Sequence, residues 1–455
     1  MEREKFIDNL KSLAKIVSKT EDYIKKSYFN TRPIISIKNQ QPFVDLDFSI
    51  SDVLLLAGIT QSNTLLWGSS GSGKTYLAEL IAGFLFGNDG YVRKNITPDM
   101  NEQDFMDIDF GAIKEGKSLK QAISADDLFS RSCLIIDEAN RAPPIIQNRL
   151  LQILENNIDL KSIKVKAGEK LSDNNYYHWN ILTLNYGDEY AGTSAIDRAL
   201  KDRITLDIPI DNFPPTIDDQ IRMIRRDVEN VNGGAPLNRE IFNIYKQFND
   251  VNLSLEAEAL ILYLSFMSNC VKSPTGSKYG VVFSPNFCKE KNCPYARNPP
   301  LNKICPFTFA TSNRVLRQLV KVAKGFSLLK KTMIYLEIAN RDSEEHMITF
   351  LDKLNPEVSL KDVILVAPLV IHSKISMNSQ WVLQEFNGNS FLASKFILDI
   401  VQKELYTFMN TLLKIVLKEQ RGGELSEKEL GIKKQTLKTD FHFEGLIKYV
   451  NKYLE

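Results

Sequence analysis

Several features that would assign the chain early are scarce or absent. Cysteine is rare, five in 455 residues, which excludes a secreted scaffold stapled by disulfides. No apolar run reaches the length of a membrane span, and the opening Met1-Glu2-Arg3-Glu4-Lys5 is charged where a secretory signal carries its apolar stretch, so a cytoplasmic location is expected. Charge of one sign is also missing: 57 Lys and Arg stand against 56 Asp and Glu. A net +1 gives no global reason to expect nucleic acid or a membrane surface, although a local basic face stays open. There is no internal repeat or low-complexity tract. The four histidines, His178, His346, His372 and His442, match no ligand or nucleophile spacing and are read as structural. What remains, 43% hydrophobic and 25% charged, is an ordinary globular composition in a chain long enough for several cores.

Residues 1–30 place Phe6, Leu10, Leu13, Ile16, Val17 and Tyr23 at helical spacing among charges, which predicts one or two leading amphipathic helices. From about residue 50 to 210, short apolar strands alternate with amphipathic helices, the pattern of a parallel sheet covered on both faces. Predicted strands are Asn63–Trp67, Tyr91–Ile96, Cys133–Ile136, Asn180–Leu184 and Ile204–Ile208, with ligands expected at their carboxyl ends. After Pro214 and Pro215 the pattern turns helical, over 217–228, 238–248, 255–269 and 312–329. A further helix is predicted over 394–417, and Ser426 with Glu429 has capping-box spacing for another.

Gly68-Ser69-Ser70-Gly71-Ser72-Gly73-Lys74-Thr75 fits G-x-x-x-x-G-K-[ST] between an apolar strand and a helix. In that context the glycines let backbone N–H groups wrap phosphates, the helix start adds its positive end, Lys74 reaches the β- and γ-phosphates, and Thr75 ligates Mg²⁺. ATP and Mg²⁺ are therefore the predicted ligands. Hydrolysis also needs a carboxylate for the metal and an activated water. The strand Leu134-Ile135-Ile136 ends in Asp137, predicted to hold Mg²⁺, and Glu138, placed to orient or deprotonate the water. A chance Gly/Ser-rich turn, or a strand end with two solvated acids, is the weaker explanation of the two motifs.

Beyond the acidic pair the chain reads Asp137-Glu138-Ala139-Asn140-Arg141-Ala142-Pro143-Pro144, then Gln147-Asn148-Arg149-Leu150-Leu151-Gln152 and Glu155. In order around it come Thr97-Pro98-Asp99, Thr183-Leu184-Asn185, Asp202-Arg203-Ile204, Ser312-Asn313-Arg314, and Asp362-Val363 through His372-Ser373-Lys374-Ile375. The series resembles the MoxR family of AAA+ ATPases over residues 50–380. The resemblance implies that Asn185 is a first sensor, its amide set toward the lytic water or a γ-phosphate oxygen. It implies that Arg203 is an arginine finger reaching a neighbouring subunit's site, with Arg198 a competing candidate, and that Arg314 is a second sensor on a lid. Each could instead be ordinary: a strand-end amide, a surface ion pair, an exposed helix arginine. Tyr186 and Ile204 depart from the family's usual Pro and Phe. Segments 95–128 and 161–177 resemble the two insertions of the clade, which in such rings line a pore or meet substrate.

The remaining cysteines of note are Cys270, Cys288, Cys293 and Cys305, separated by 17, 4 and 11 residues in a proline-rich stretch. A structural Cys₄ zinc site would tie such a loop together; an iron–sulfur cluster, disulfides or unrelated thiols are the alternatives. Cys133, on the acidic strand, is read as packed rather than reactive.

The expected architecture is a five-stranded parallel α/β AAA+ core over 46–212, preceded by a helical extension over 1–45. A helical lid over 213–380, carrying the cysteine insertion at 270–306, and a helical extension over 381–455 would follow. The resemblance implies a homo-oligomeric, hexameric ring that remodels or assembles a partner protein, often one with a von Willebrand factor A domain. The rival is a nucleic-acid motor or defence ATPase of the McrB kind, which shares the Asp-Glu-x-Asn-Arg strand end. Near-neutral charge and the Ala-Pro-Pro after Asn140-Arg141 argue against it.

Overall fold

A computed structural model describes residues 3–40, 44–108, 114–116, 123–125, 127–160, 163–173, 175–185, 196–225, 235–267, 312–341, 344–375, 377, 379–408, 415, 418–419 and 422–431. In chain order the elements are α1 (Arg3–Ser27), β1 (Ile35–Gln40), β2 (Val44–Phe48), α2 (Ile50–Ile59), β3 (Thr64–Gly68), α3 (Lys74–Phe86), β4 (Tyr91–Asn95), β5 (Met106–Ile108), β6 (Ile123–Ala125) and β7 (Cys133–Asp137). There follow α4 (Pro144–Leu154), β8 (Asn157–Leu160), β9 (Ile163–Lys166), β10 (Glu169–Ser172), β11 (Asn175–Tyr177), β12 (Trp179–Asn185), α5 (Arg198–Arg203) and β13 (Leu206–Pro209). The rest is helical: α6 (Ile217–Arg225), α7 (Asn238–Gln247), α8 (Leu255–Met267), α9 (Asn313–Asn340), α10 (Glu344–Asp352), α11 (Leu360–Ile371), α12 (Ser379–Phe386) and α13 (Ser390–Phe408).

Two compact units emerge, one from Met1–Asn252 with Lys324–Pro356, the other from Leu253–Ala323 with Glu357–Glu455. The first contains a five-stranded sheet in the order β13-β3-β12-β7-β4. Every pairing in it is parallel. Its central strands β7 and β12 are buried almost throughout, because Cys133-Leu-Ile-Ile and Trp179-Asn-Ile-Leu-Thr-Leu have cover on both faces. On one face Ile146, Leu150 and Ile153 of α4 cluster with Leu65, Leu134, Ile136, Leu182 and Leu184. Since side chains alternate along a strand, the intervening residues face the other way, where α3 lies against β3, β7 and β12. The five predicted strands are all present, shifted by one or two residues; the last begins at Leu206 rather than Ile204.

Two parts of this unit differ from the sequence reading. The leading segment is helical only to Ser27, after which Ile35, Ile37, Leu46 and Phe48 are buried while Ser36, Lys38, Asp45 and Asp47 are exposed, the period-two alternation of the antiparallel hairpin β1–β2. Helix α2 has no amphipathic signature in the sequence. Almost every residue of it is buried, so it has no polar face to give the helical period. The expected insertion over 161–177 contains β9, which pairs antiparallel with β8 just before it, and the hairpin β10–β11. In the second unit, α11 opens at Ser359, whose hydroxyl accepts from the Asp362 N–H at 3.2 Å while its own N–H donates to the Asp362 carboxylate at 2.9 Å.

Candidate active site: a phosphate loop beside an acidic strand

The loop that follows β3 turns through Gly71 and Gly73 with φ of 77° and 78°, left-handed values that glycine reaches without strain. At Gly73 a Cβ would also meet the Tyr28 ring at 3.4 Å. The turn delivers the chain into α3, whose first residue is Lys74. Lys74 Nζ donates to Gly68 O at 3.1 Å, Ser69 O at 2.6 Å and Ser72 Oγ at 3.0 Å. Burial pushes the ammonium pKa down, opposed by the negative charges of Asp211 and Asp137. Asp211, just past β13, accepts from the Ser69 N–H at 2.7 Å and from Ser69 Oγ at 3.1 Å, fixing the start of the loop.

Asp137 is brought to the loop by the parallel register of β7 beside β4 and β12. Its side chain is 7% exposed. Oδ1 accepts from Thr75 Oγ1 at 2.8 Å and from Thr183 Oγ1, while Oδ2 is held by Arg93 Nη2 at 2.7 Å. Arg93 also contacts Glu79 Oε1 at 3.1 Å, bridging two carboxylates. Thr75 and Asp137 thus bring two hard oxygen donors together, the donor chemistry that suits Mg²⁺. Glu138 follows in a left-handed conformation, φ 56°, that turns its side chain out of the strand alternation. Its N–H donates to Thr183 Oγ1 at 3.2 Å, its Oε1 accepts from Asn185 Nδ2 at 3.3 Å, and its Oε2 pairs with Arg141 Nε at 3.1 Å. Asn140 Nδ2 donates to Asn185 O at 2.9 Å, which ties the segment after the acids to the end of β12.

The structure therefore brings together Gly68 to Thr75, Asp137, Glu138 and Asn185. It adds Arg93, Thr183, Arg141 and Asp211, to which no role had been given from the sequence. Arg203 lies elsewhere: its carbonyl accepts from Asn63 Nδ2 at 3.0 Å, one residue before β3 begins, whereas the phosphate loop starts where β3 ends. Five residues of strand separate the two points by roughly 15 Å. Arg198 is exposed at the first turn of α5, and Arg314 is exposed on α9 in the second unit. Tyr186 and all four cysteines of the proposed zinc site lie outside the described residues. Among the described residues no cluster of three or more His, Cys, Asp or Glu could hold a metal. Cys133 is buried and free, and burial raises its thiol pKa well above the usual range.

Residues 63–204 match the family described as AAA domain (dynein-related subfamily). This part of the chain is an AAA+ ATPase domain. No curated protein sequence matches the chain. Among solved structures, a crystal structure of a provisionally assigned ATPase from Cytophaga hutchinsonii is similar with a TM-score of 0.55 at 17% identity, covering 88% of this chain and 96% of its own. An MCM homologue from Methanopyrus kandleri aligns with a TM-score of 0.39 at 11% identity, over 72% of this chain and 56% of its own. The AAA+ match covers the phosphate loop, the acidic strand and Arg203. No described helix is long and apolar enough to cross a membrane.

Within the AAA+ domain Arg93 neutralises a nearly buried carboxylate. Arg93→Ala leaves Oδ2 of Asp137 without its charge partner and is expected to destabilise the fold by roughly 1–3 kcal/mol. Urea unfolding checks this as a lower midpoint at unchanged slope, with Arg93→Lys recovering part of the loss.

Proposed function

We propose that the chain is a Mg²⁺-dependent ATPase of MoxR type that works as a homo-oligomeric ring and remodels or assembles a partner protein. The observation that carries the reading is the convergence of Thr75, Asp137, Glu138 and Asn185 on the mouth of the phosphate loop. Lys74 and the loop amides hold the β- and γ-phosphates in this scheme. Thr75 and Asp137 would hold Mg²⁺, whose charge would offset that of the phosphates. Glu138, aligned by Asn185, takes the proton of a water whose oxygen bonds to the γ-phosphorus as the bond to the β-phosphate oxygen breaks, giving ADP and phosphate. Arg203 serves the phosphoryl group held by an adjacent subunit, in keeping with its distance from its own loop, and Arg314 acts as the second sensor that the MoxR resemblance implies.

The protein partner, of the von Willebrand factor A kind that the MoxR resemblance implies, is tested by trapping. Glu138→Gln held in ATP should retain a protein from native extract, identified by mass spectrometry. DNA or RNA retained through moderate salt would replace this reading with the nucleic-acid motor. A structural zinc at Cys270, Cys288, Cys293 and Cys305 belongs to the same proposal. Metal analysis of purified protein should find about one zinc per chain if four thiolates close one tetrahedral site, and finding neither zinc nor iron would remove it.

A further inference from the structure

The guanidinium of Arg203 is not loose. Glu155 Oε1 accepts from its Nε at 2.8 Å and lies 2.7 Å from its Nη2, while its Nη1 donates to Ala199 O at 2.9 Å. An arginine carries five N–H donors, so these contacts engage three and leave one on each terminal nitrogen, the pair that can grip two oxygens of one phosphoryl group. The Arg203 side chain is 18% exposed and that of Glu155 is 39% exposed. The pair is therefore partly withdrawn from water rather than a fully solvated contact.

The backbone beneath the pair is fixed by one group. Asn63 Nδ2 donates to Leu154 O at 2.8 Å, immediately before Glu155, and to Arg203 O at 3.0 Å. Asn63 Oδ1 accepts from Asn180 Nδ2 at 2.9 Å, so the same amide is anchored to a central strand. Thr205 and Leu206 then donate their N–H groups to Asn63 O at 2.7 and 3.0 Å, which locks the chain directly after Arg203. Carboxylate and guanidinium thus stand on two segments tied to the amino-terminal edge of the sheet.

We propose that Glu155 is the positioning residue of Arg203: it fixes the guanidinium as a pre-oriented fork for the γ-phosphate held by a second copy of this chain. The inference rests on Arg203 acting in trans. Glu155 touches no substrate; it sets the rotamer and plane of the residue that does. Holding a charged group in its working geometry is worth large factors in rate, because a misplacement of about 1 Å costs on the order of 100-fold.

The test measures kcat, KM and the dissociation constant of a fluorescent ATP analogue for full-length Glu155→Ala, Glu155→Gln, Arg203→Ala and the double variant Glu155→Ala/Arg203→Ala. Glu155→Ala should lower kcat by about 10- to 100-fold with nucleotide affinity unchanged, which also reports that the fold is intact. Glu155→Gln, which keeps an accepting oxygen without the charge, should fall between. On the Arg203→Ala background Glu155→Ala should have no further effect. The proposal is overturned by an additional loss in the double variant. Wild-type or faster turnover in Glu155→Ala alongside an impaired Arg203→Ala overturns it as well, and lost nucleotide affinity in both Glu155 variants would assign the pair to stability instead. Wild-type turnover in Arg203→Ala would instead remove the finger reading beneath it.

Discussion

Glu138→Gln should bind ATP as tightly as the unaltered chain and hydrolyse it about 10²- to 10⁴-fold more slowly, the range that general-base catalysis supplies. The substitution keeps the shape of the side chain and an oxygen that can accept from Asn185 Nδ2, the contact seen at 3.3 Å. It removes the one property the mechanism requires, the capacity to take up a proton. Lys74, the loop amides and Asp137 are untouched, so binding measured by fluorescent ATP should hold while phosphate release slows. Hydrolysis at the original rate would take Glu138 out of the general-base role and leave Asn185 and Arg141 as its structural partners only.

Arg203→Ala should lower kcat by about 10³-fold, the lower end of what an arginine finger contributes, and ATP affinity should change little. The residue is bonded to the amino-terminal edge of the sheet through Asn63, while its own phosphate loop opens from the carboxyl end of β3. A side chain so placed cannot serve its own nucleotide without dismantling the tie. Complementation decides the matter. Lys74→Ala subunits cannot hold ATP but still offer Arg203, and Arg203→Ala subunits hold ATP but lack the finger. Mixing the two inactive proteins should restore turnover at the interfaces that combine one good loop with one good arginine. Continued inactivity after exchange of subunits would exclude action in trans.

The phosphate loop and acidic strand could be read from sequence because their chemistry is contiguous: eight neighbouring residues wrap a phosphate, and two neighbouring acids end a strand. The five parallel strands were legible for a related reason, since strands buried on both faces leave short apolar runs between polar boundaries. Arg93 and Asp211 could not be read this way. Each enters the site only through strand register, Arg93 facing Ile135 on β7 and Asp211 following the strand that pairs with β3. The partnership of Glu155 with Arg203 spans 48 residues and depends on an asparagine from a third segment. Helix α2 escaped because burial on all sides erased its periodicity, and β1–β2 because two short alternating runs followed a strong helix.

The left-handed turn at Glu138 sets stability against chemistry at a single position. A side chain at φ 56° carries backbone strain, on the order of 1 kcal/mol that glycine would relieve. In the proposed mechanism glycine would also delete the base, so directed evolution for heat resistance alone would drift toward a chain that folds better and turns over nothing. Any screen for hardier versions of this protein therefore has to reward turnover at every round.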